Sequence, residues 1–132
     1  MKRLLLLLIV SVFSVTTFSQ VYKLDAYELS SRYLQDNGYW SNWENWKSCS
    51  VLVVINANTE RVNIYSAKPQ EYDIYRTYEQ RSDGEGGTET DFDCVNADGL
   101  RCTMRIRTQR NGVRQLYIYF SDFQWVYNIQ SK

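Results

Sequence analysis

The side chains in this sequence that could do nucleophilic, acid–base or metal chemistry are three cysteines and a group of carboxylates. The cysteines are Cys49, Cys94 and Cys102, and the sequence contains no histidine. Histidine is the commonest general base and the commonest zinc ligand, so neither a cysteine nucleophile nor a zinc ion would have its usual partner. We therefore expect no catalytic residue, no metal site, no cofactor and no enzyme activity.

Five carboxylates lie close together in the sequence: Asp83, Glu85, Glu89, Asp91 and Asp93. Their spacing does not match that of a calcium-binding loop. In the hairpin described next, Glu89 and Asp91 face arginines, and a neighbouring arginine lowers a carboxyl pKa instead of raising it to the range of a general acid. The group therefore predicts a solvated surface of ion pairs.

The strongest structural pattern is in residues 89–107, where two alternating arms flank Ala97-Asp98-Gly99. These three residues fit a hairpin loop in which a left-handed glycine closes a type I turn. Such a loop sets Asn96 opposite Leu100 and determines every other pair. The predicted pairs are Cys94 with Cys102, Phe92 with Met104, Thr90 with Ile106, Asp91 with Arg105, and Glu89 with Arg107. A shift of one residue would separate the apolar, sulfur and charged partners together.

The next reversal contains a conflict between turn preference and burial. Asn111-Gly112 favours a two-residue turn, which would direct Leu116, Ile118 and Phe120 to the arginine face. Burial of three large apolar side chains, at about 1.5–3 kcal/mol each, outweighs a difference in turn type. We therefore predict a three-residue loop at 110–112. Its pairs are Ile106 with Leu116, Met104 with Ile118, Cys102 with Phe120, and Arg105 with Tyr117, where a cation can lie on a ring.

The rest of the chain is typical of further short strands. Residues 24–34 begin like a helix capping box but lack a helical stripe, so we predict a strand after a loose leader at 20–23. The run Val51–Ile55 is apolar on both faces and predicts a strand covered on both sides. Tyr72, Ile74 and Tyr78 share one face of a later strand by alternation, and residues 81–88 predict a flexible, solvated tip.

These patterns give about eight strands joined mostly by short turns, without a convincing long helix. Consecutive hairpins predict an antiparallel meander, and a meander of this length must curl or close to bury one face and hide its edges. We expect an all-β fold, a barrel or curved sandwich with a lipocalin- or calycin-like shape.

The first 19 residues predict a signal peptide. Lys2 and Arg3 precede an apolar run from Leu4 to Val15, and Thr17-Phe18-Ser19 resembles a cleavage site. We expect residues 20–132 to form a single domain, exported to the periplasm or secreted and not stably inserted in a membrane. Fifteen basic and fifteen acidic residues balance, so loss of Lys2 and Arg3 leaves a formal charge of −2. That charge makes nucleic acid a poor partner.

In an exported protein, three cysteines favour one disulfide and one odd thiol. The hairpin register makes Cys94–Cys102 the predicted bond. The alternative is that all three cysteines are buried thiols that act as small apolar residues.

Aromatic residues make up 15% of the chain and are the candidate ligand-binding groups. Those we single out are Trp40, Trp43, Trp46, Tyr72, Trp125 and Tyr127. Their flat apolar faces could bind a sugar ring or a small apolar ligand. The alternative is a structural role, in which one or two tryptophans cap the core and the others lie on a sheet face.

Two short resemblances fall on the tryptophans. Residues 40–50 resemble the start of a thrombospondin type 1 repeat, which implies a Trp stripe interleaved with arginine, although three cysteines cannot supply that module's three disulfides. Gly38-Tyr39-Trp40 is similar to the G-x-W signature of lipocalins, which implies a Trp that closes one end of a barrel at its first strand. Here a predicted strand precedes Trp40, a departure from the lipocalin pattern.

We expect the domain to bind a small apolar or carbohydrate ligand through an aromatic-lined barrel interior or face. The alternative is an inhibitor or envelope accessory that docks onto a protein partner by a sheet edge or an aromatic patch. A ligand binder of the first kind predicts an enclosed cavity, whereas a docking module predicts a filled core and an exposed apolar patch.

Overall fold

The computed structural model of this protein describes residues 20–132, and all regular structure in that range is β-strand. The strands are β1 (Val21–Tyr33), β2 (Lys47–Asn56), β3 (Arg61–Tyr65), β4 (Gln70–Thr77), β5 (Arg81–Ser82), β6 (Thr88–Asn96), β7 (Arg101–Thr108), β8 (Arg114–Tyr119) and β9 (Phe123–Ser131). The predicted signal peptide lies outside the described residues.

The sheet is an antiparallel meander that closes on itself. Successive strands are hydrogen-bonded neighbours except β4 and β5; β4 pairs instead with β6, and β1 pairs with both β2 and β9. Eight strands therefore form a barrel, and the two-residue β5 is an extra strand on β6. The predicted all-β meander and its closure are confirmed. Closure pairs both the first and the last strand of the meander, which would otherwise be open edges.

The barrel has two ends with different loops. The loops 34–46, 66–69, 97–100 and 120–122 meet at one end, which we call the aromatic end. The opposite end carries the reversals 57–60, 78–87 and 109–113.

Side chains fill the barrel interior, as expected for a closed sheet of eight strands. The largest side chains with almost no exposed surface are Ile64, Met104, Leu116, Ile118, Val53, Val62 and Cys94. These seven residues come from five different strands, and each lies at an inward-facing position in the alternating pattern of its strand. Val62 and Ile64 share the inward face of β3.

The predicted register of both central hairpins is confirmed. Cys94 pairs with Cys102 and Asp91 with Arg105, and all five predicted pairs of residues 89–107 are present. The Asn96 backbone N–H donates to the Leu100 carbonyl oxygen at 2.8 Å, and Gly99 has φ of +84°. The loop at 110–112 also has three residues, because the Gln109 N–H donates to the Val113 carbonyl oxygen at 2.9 Å.

Across the second hairpin, burial therefore decides the register as predicted. Ile106 pairs with Leu116 and Met104 with Ile118. The regular pairing ends at Thr103 and Tyr119, so Phe120 lies just beyond β8. It is partly buried against the core.

Two expectations about strand extent and coverage are wrong. The leader predicted at 20–23 is mostly strand, since Val21 and Lys23 pair with Asn56 and Val54 of β2. The apolar run of β2 is not covered equally on its two faces, because Val53 is fully buried whereas Leu52 is only partly buried. A single closed sheet has one interior, and no second layer among residues 20–132 covers the outer face of β2.

The face predicted for Tyr78 is also wrong, because β4 contains a bulge. The pairing of β4 with β6 shifts between Ile74 and Arg76. Such a bulge adds one residue to a strand and exchanges the faces of the residues that follow. Tyr72 and Ile74 face the interior, whereas the Tyr78 hydroxyl lies outside and donates to Asp93 Oδ2 at 2.8 Å.

The predicted disulfide is absent: Cys94 and Cys102 face each other as free thiols, and Cys49 is also free. The backbone hydrogen bond between Asn96 and Leu100 marks them as a hydrogen-bonded pair of the antiparallel ladder. Hydrogen-bonded and non-hydrogen-bonded pairs alternate along the ladder, so Cys94 and Cys102, two residues further on, are also a hydrogen-bonded pair. Opposed Cβ atoms there are about 5.5 Å apart, farther than the range of about 3.5–4.5 Å in disulfides. The prediction that Cys94 and Cys102 face each other is confirmed, and the prediction of a disulfide between them is wrong.

We expect Gly99→Ala to lower the free energy of unfolding by about 1–2 kcal/mol. No heavy atom lies within 4 Å of a Cβ added at Gly99, so the cost comes from its left-handed backbone and not from a clash. Gly99→Asn should cost less, since asparagine tolerates that conformation. Urea unfolding followed by tryptophan fluorescence measures both variants, and equal losses would contradict this account.

Candidate ligand-binding site

The six aromatic residues singled out from the sequence lie in three places. Tyr72 and Trp125 are at the aromatic end, and Tyr127 is buried in the core beside them. Trp40 and Trp43 lie together on the outer face of the barrel. Trp46 immediately precedes β2 and is 43% exposed. The structure therefore does not join all six into one site.

Four aromatic rings converge at the aromatic end. Phe120 and Trp125 are stacked with centroids 5.7 Å apart, and the Phe123 ring lies 5.5 Å from Trp125. Tyr72 lies 6.5 Å from Phe120 on the other side. The stack joins β4 to the turn between β8 and β9, which are distant in the sequence but close in the closed barrel.

The sequence reasoning missed Phe120 and Phe123 as members of this cluster. A signal for both was present, because Phe120 continues the inward phase of Ile118 and Phe123 precedes Trp125 by two. The Phe120 backbone N–H donates to the Phe123 carbonyl oxygen at 3.0 Å, so a two-residue turn holds both rings at the end of the barrel.

These rings line a recess of about 350 Å³ that is open at the aromatic end. Its walls come from the loops after β3, β6 and β8. The apolar lining residues are Pro69, Tyr72, Ala97, Leu100, Phe120, Phe123 and Trp125, and the polar ones are Lys68, Gln70, Glu71, Asn96, Asp98 and Asp122. The recess therefore has an aromatic wall and charged residues at its margin.

The polar groups near the floor of the recess already have partners within the protein. The Tyr72 hydroxyl donates to Gln70 Oε1, and Gln70 Nε2 donates to Ser66 Oγ at 3.2 Å. Asn96 Oδ1 accepts from the backbone N–H groups of Asp98 and Leu100 at 3.0 and 2.9 Å. The charged residues at the margin are consequently the polar groups best placed to contact a ligand.

Below the recess lies a layer of buried thiol and phenol groups. A hydrogen bond with the Cys102 thiol, together with burial, raises the pKa of Cys94. Burial raises the pKa of Tyr72 and of Tyr127 in the same way. Burial and the nearby Glu28 raise the pKa of Cys49. These shifts favour the protonated form, so Cys49 and Cys94 lack the low pKa that makes a cysteine a strong nucleophile at neutral pH.

Trp40 and Trp43 enclose an arginine on the outer face. The Arg32 guanidinium carbon lies 5.1 Å from the Trp40 ring centroid and 4.7 Å from that of Trp43. Arg32 Nε also donates to Gln124 Oε1 at 2.8 Å. Trp40 therefore does not close an end of the barrel, as the lipocalin resemblance would imply.

This stack attaches residues 41–46 to the outside of the barrel. The Ser30 hydroxyl donates to the Glu44 carbonyl oxygen at 2.6 Å, and the Glu44 N–H donates to the Ser31 carbonyl oxygen at 2.9 Å. Val126 pairs with Ser30 and points outward, yet it is only 3% exposed. We infer that the segment carrying Trp43 and Glu44 shields Val126 from water.

Ion pairs cover the neighbouring part of the outer face, as predicted, but with a different assignment of partners. Arg105 binds Asp91 through two hydrogen bonds of 2.8 and 3.1 Å. Glu89 contacts Arg105 and Arg81 and not its cross-strand neighbour Arg107. Arg105 also lies over the Tyr119 ring, at 5.5 Å, although its predicted stacking partner was Tyr117.

Arg107 instead binds the loop at 83–87. Its guanidinium contacts the carboxylates of Asp83 and Glu85, each at 3.0 Å. Asp83 Oδ1 also accepts from the N–H groups of Glu85 and Gly87. Those two bonds, with the Arg107 contact, hold the pKa of Asp83 below its ordinary value. The segment predicted as a flexible tip is thus built around a carboxylate with several partners.

No group of three or more metal-ligating side chains that could hold a metal ion is present among residues 20–132. The same residues contain no helix long and apolar enough to cross a membrane. The chain matches no protein-family model, no curated protein and no solved structure.

We expect Arg32→Ala to lower the free energy of unfolding by about 1–2 kcal/mol, because it removes two ring contacts and the bond to Gln124. Amide hydrogen exchange at Glu44 should accelerate, since the attachment of its segment weakens. Arg101→Ala is the matched control: Arg101 lies over Tyr75 alone, at 5.3 Å, and its loss should cost about 0.5 kcal/mol. Equal costs, or unchanged exchange at Glu44, would contradict the attachment.

We expect Asp91→Asn to reduce the acid sensitivity of the fold. Burial opposes ionisation of Asp91, but Arg105 and Arg81 outweigh it and hold its pKa below the ordinary value. Because the folded pKa is depressed, the stabilisation is complete above the unfolded value of about 3.9 and is lost as pH falls through the folded pKa. At neutral pH the variant should lose about 1.5–3 kcal/mol.

Urea unfolding from neutral to strongly acidic pH measures this effect. Wild-type protein should lose more stability than Asp91→Asn over the acidic part of the range. Asp36→Asn is the control, because Asp36 is an exposed turn residue and should leave the wild-type profile unchanged. Parallel profiles for wild type and Asp91→Asn would refute the assignment.

Proposed function

We propose that this protein is a non-catalytic binding protein that takes a small ligand in the recess at its aromatic end. The observation that supports this most is the convergence of Tyr72, Phe120, Phe123 and Trp125 on an open space of about 350 Å³. Ligand pockets typically measure about 300–1,000 Å³ and combine apolar walls with a few polar groups. The recess is at the lower end of that range, so the ligand is small.

The filled interior formed by residues 20–132 lacks the enclosed cavity expected of a ligand held inside the barrel, so a ligand must lie against the rings at the open end. Met104, Leu116 and Ile118 have no exposed surface and occupy the space that an enclosed ligand would need. A long acyl chain therefore has no channel to enter. The raised pKa values of Cys49 and Cys94 and the ion-paired state of Asp91 support binding over catalysis.

Export to the periplasm or the exterior is part of this proposal. It rests on the charged and apolar pattern of residues 1–19 and not on the described part of the chain.

Docking onto a protein partner is a second candidate, favoured by exposed apolar residues at the same end. These residues are Tyr33, Leu34, Tyr39, Leu100 and Phe123, each at least 39% exposed. Closure pairs β1 with β9, so a partner would use this apolar surface and not a free sheet edge. The recess favours the small ligand, because four rings surround a concave space there.

A thermal-shift panel tests the small-ligand proposal with maltose, choline, neohexyl alcohol and octanoate as probes. A ligand that binds only the folded state stabilises it by about 2.7 kcal/mol at 100 times its dissociation constant. We expect at least one probe to raise Tm of the wild-type protein and to have a much smaller effect on Phe123→Ala.

Tyr22→Ala is the matched control, because Tyr22 is an exposed aromatic residue near the opposite end. It should respond to the probe like the wild type. No shift with any probe, or an equal shift in Phe123→Ala, would refute the small-ligand proposal and favour the protein partner.

A further inference from the structure

We infer that the ligand of the aromatic recess is a cation with a compact apolar body, such as a quaternary ammonium group. This inference rests on the proposed function and adds the charge and shape of the ligand. The rings make the recess a binding surface, and the charges around it select among the molecules that such a surface could bind.

The aromatic wall is suited to an alkylated cation. The face of an aromatic ring carries a negative quadrupole potential, and a cation within about 6 Å of the ring centre is attracted to it. Tyr72, Phe120, Phe123 and Trp125 all line the same recess, and Phe120 and Trp125 stack on each other within it. Methyl groups on the cation would at the same time remove apolar ring surface from water.

The charges of the lining have the complementary sign. One basic residue, Lys68, accompanies three acidic residues, Glu71, Asp98 and Asp122. Asp98 and Asp122 belong to the loops at the aromatic end, whereas Glu71 alternates with the inward-facing Gln70 and Tyr72 on β4. Glu71 therefore points to the outer face. The remaining charged residues of the lining, Lys68, Asp98 and Asp122, carry one positive and two negative charges. Their net formal charge of −1 favours cations over carboxylates and phosphates.

The acidic residues of the recess differ from those of the outer face in their ion-pair partners. On the outer face, Asp83, Glu89 and Asp91 all have arginine partners. None of the ion pairs found among residues 20–132 includes Asp98 or Asp122. The negative charges of the recess margin are not neutralised by a neighbouring side chain, so they remain available to a cationic ligand.

The size of the recess limits the apolar body. The space is about 350 Å³, and the filled core lies directly below it. A trimethylammonium group fits within that volume, whereas a long aliphatic tail would project into water. The structure therefore favours a compact head group over an extended chain.

Three probes of nearly the same shape test the charge directly. Choline carries a trimethylammonium group, neohexyl alcohol replaces it with a neutral tert-butyl group, and tert-butylacetate carries the tert-butyl group with a carboxylate. Titrations followed by the NMR signal of the Trp125 indole N–H give the dissociation constants. We expect choline to bind roughly 5- to 30-fold more tightly than neohexyl alcohol, and tert-butylacetate to bind most weakly.

Variants locate the source of the preference. Asp98→Asn combined with Asp122→Asn should weaken choline binding at least about 3-fold and leave neohexyl alcohol unchanged, because only the cation interacts with those charges. Asp36→Asn is the control, since Asp36 belongs to the same end but does not line the recess. Choline affinity should also fall as ionic strength rises, whereas binding of the neutral alcohol should not.

The outcomes separate this inference from the function on which it rests. Equal affinities for choline and neohexyl alcohol, or tighter binding of tert-butylacetate, would overturn the cation and leave a ligand site at the aromatic end. Maltose binding at Trp125 without choline binding would have the same meaning. Failure of every probe to perturb Trp125 or Tm would overturn both.

Discussion

Pairing between the first and last strands is the constraint on which the rest of this structure depends. β1 hydrogen-bonds to β2 along one edge and to β9 along the other, and both ladders shift register between Ala26 and Glu28. A bulge at that point bends and twists the strand, which helps a short meander to curve round and meet itself. Closure gives the sheet one interior and two ends, so every side chain is assigned to one of those environments or to the outer surface.

Because the interior is filled with side chains, a ligand could bind only at the ends of the barrel or on its outer surface. Buried side chains such as Met104, Leu116 and Ile118 fill the interior, so the aromatic recess lies where the strands stop. The rings there occupy inward-facing positions at the ends of their strands, beyond the side chains that fill the core. A binding surface at the mouth of a small barrel thus follows from the same alternation that packs its core.

The outer face shows what happens to large side chains that the interior cannot hold. Trp40 and Trp43 lie on Arg32, and Tyr117 and Tyr119 stack with centroids 5.5 Å apart beside Arg105. Arginine covers aromatic faces while it keeps its polar edge available for hydrogen bonds. These contacts and the ion pairs around Asp91 cover an outer surface for which the fold provides no second layer.

The sequence alone determined what depends on neighbouring residues. Alternation and turn length set the pairing of Cys94 with Cys102 and of Met104 with Ile118, because a slip of one residue would move every apolar side chain to the wrong face. Only the tertiary structure decided the features that depend on distant strands. A bulge in β4 directs Tyr78 outward, and Glu89 pairs with Arg81 and Arg105 instead of Arg107. Closure of the barrel also places the Tyr72 ring next to that of Phe120. Long charged and aromatic side chains can reach several partners, so local spacing does not choose among them, and closure of the barrel does.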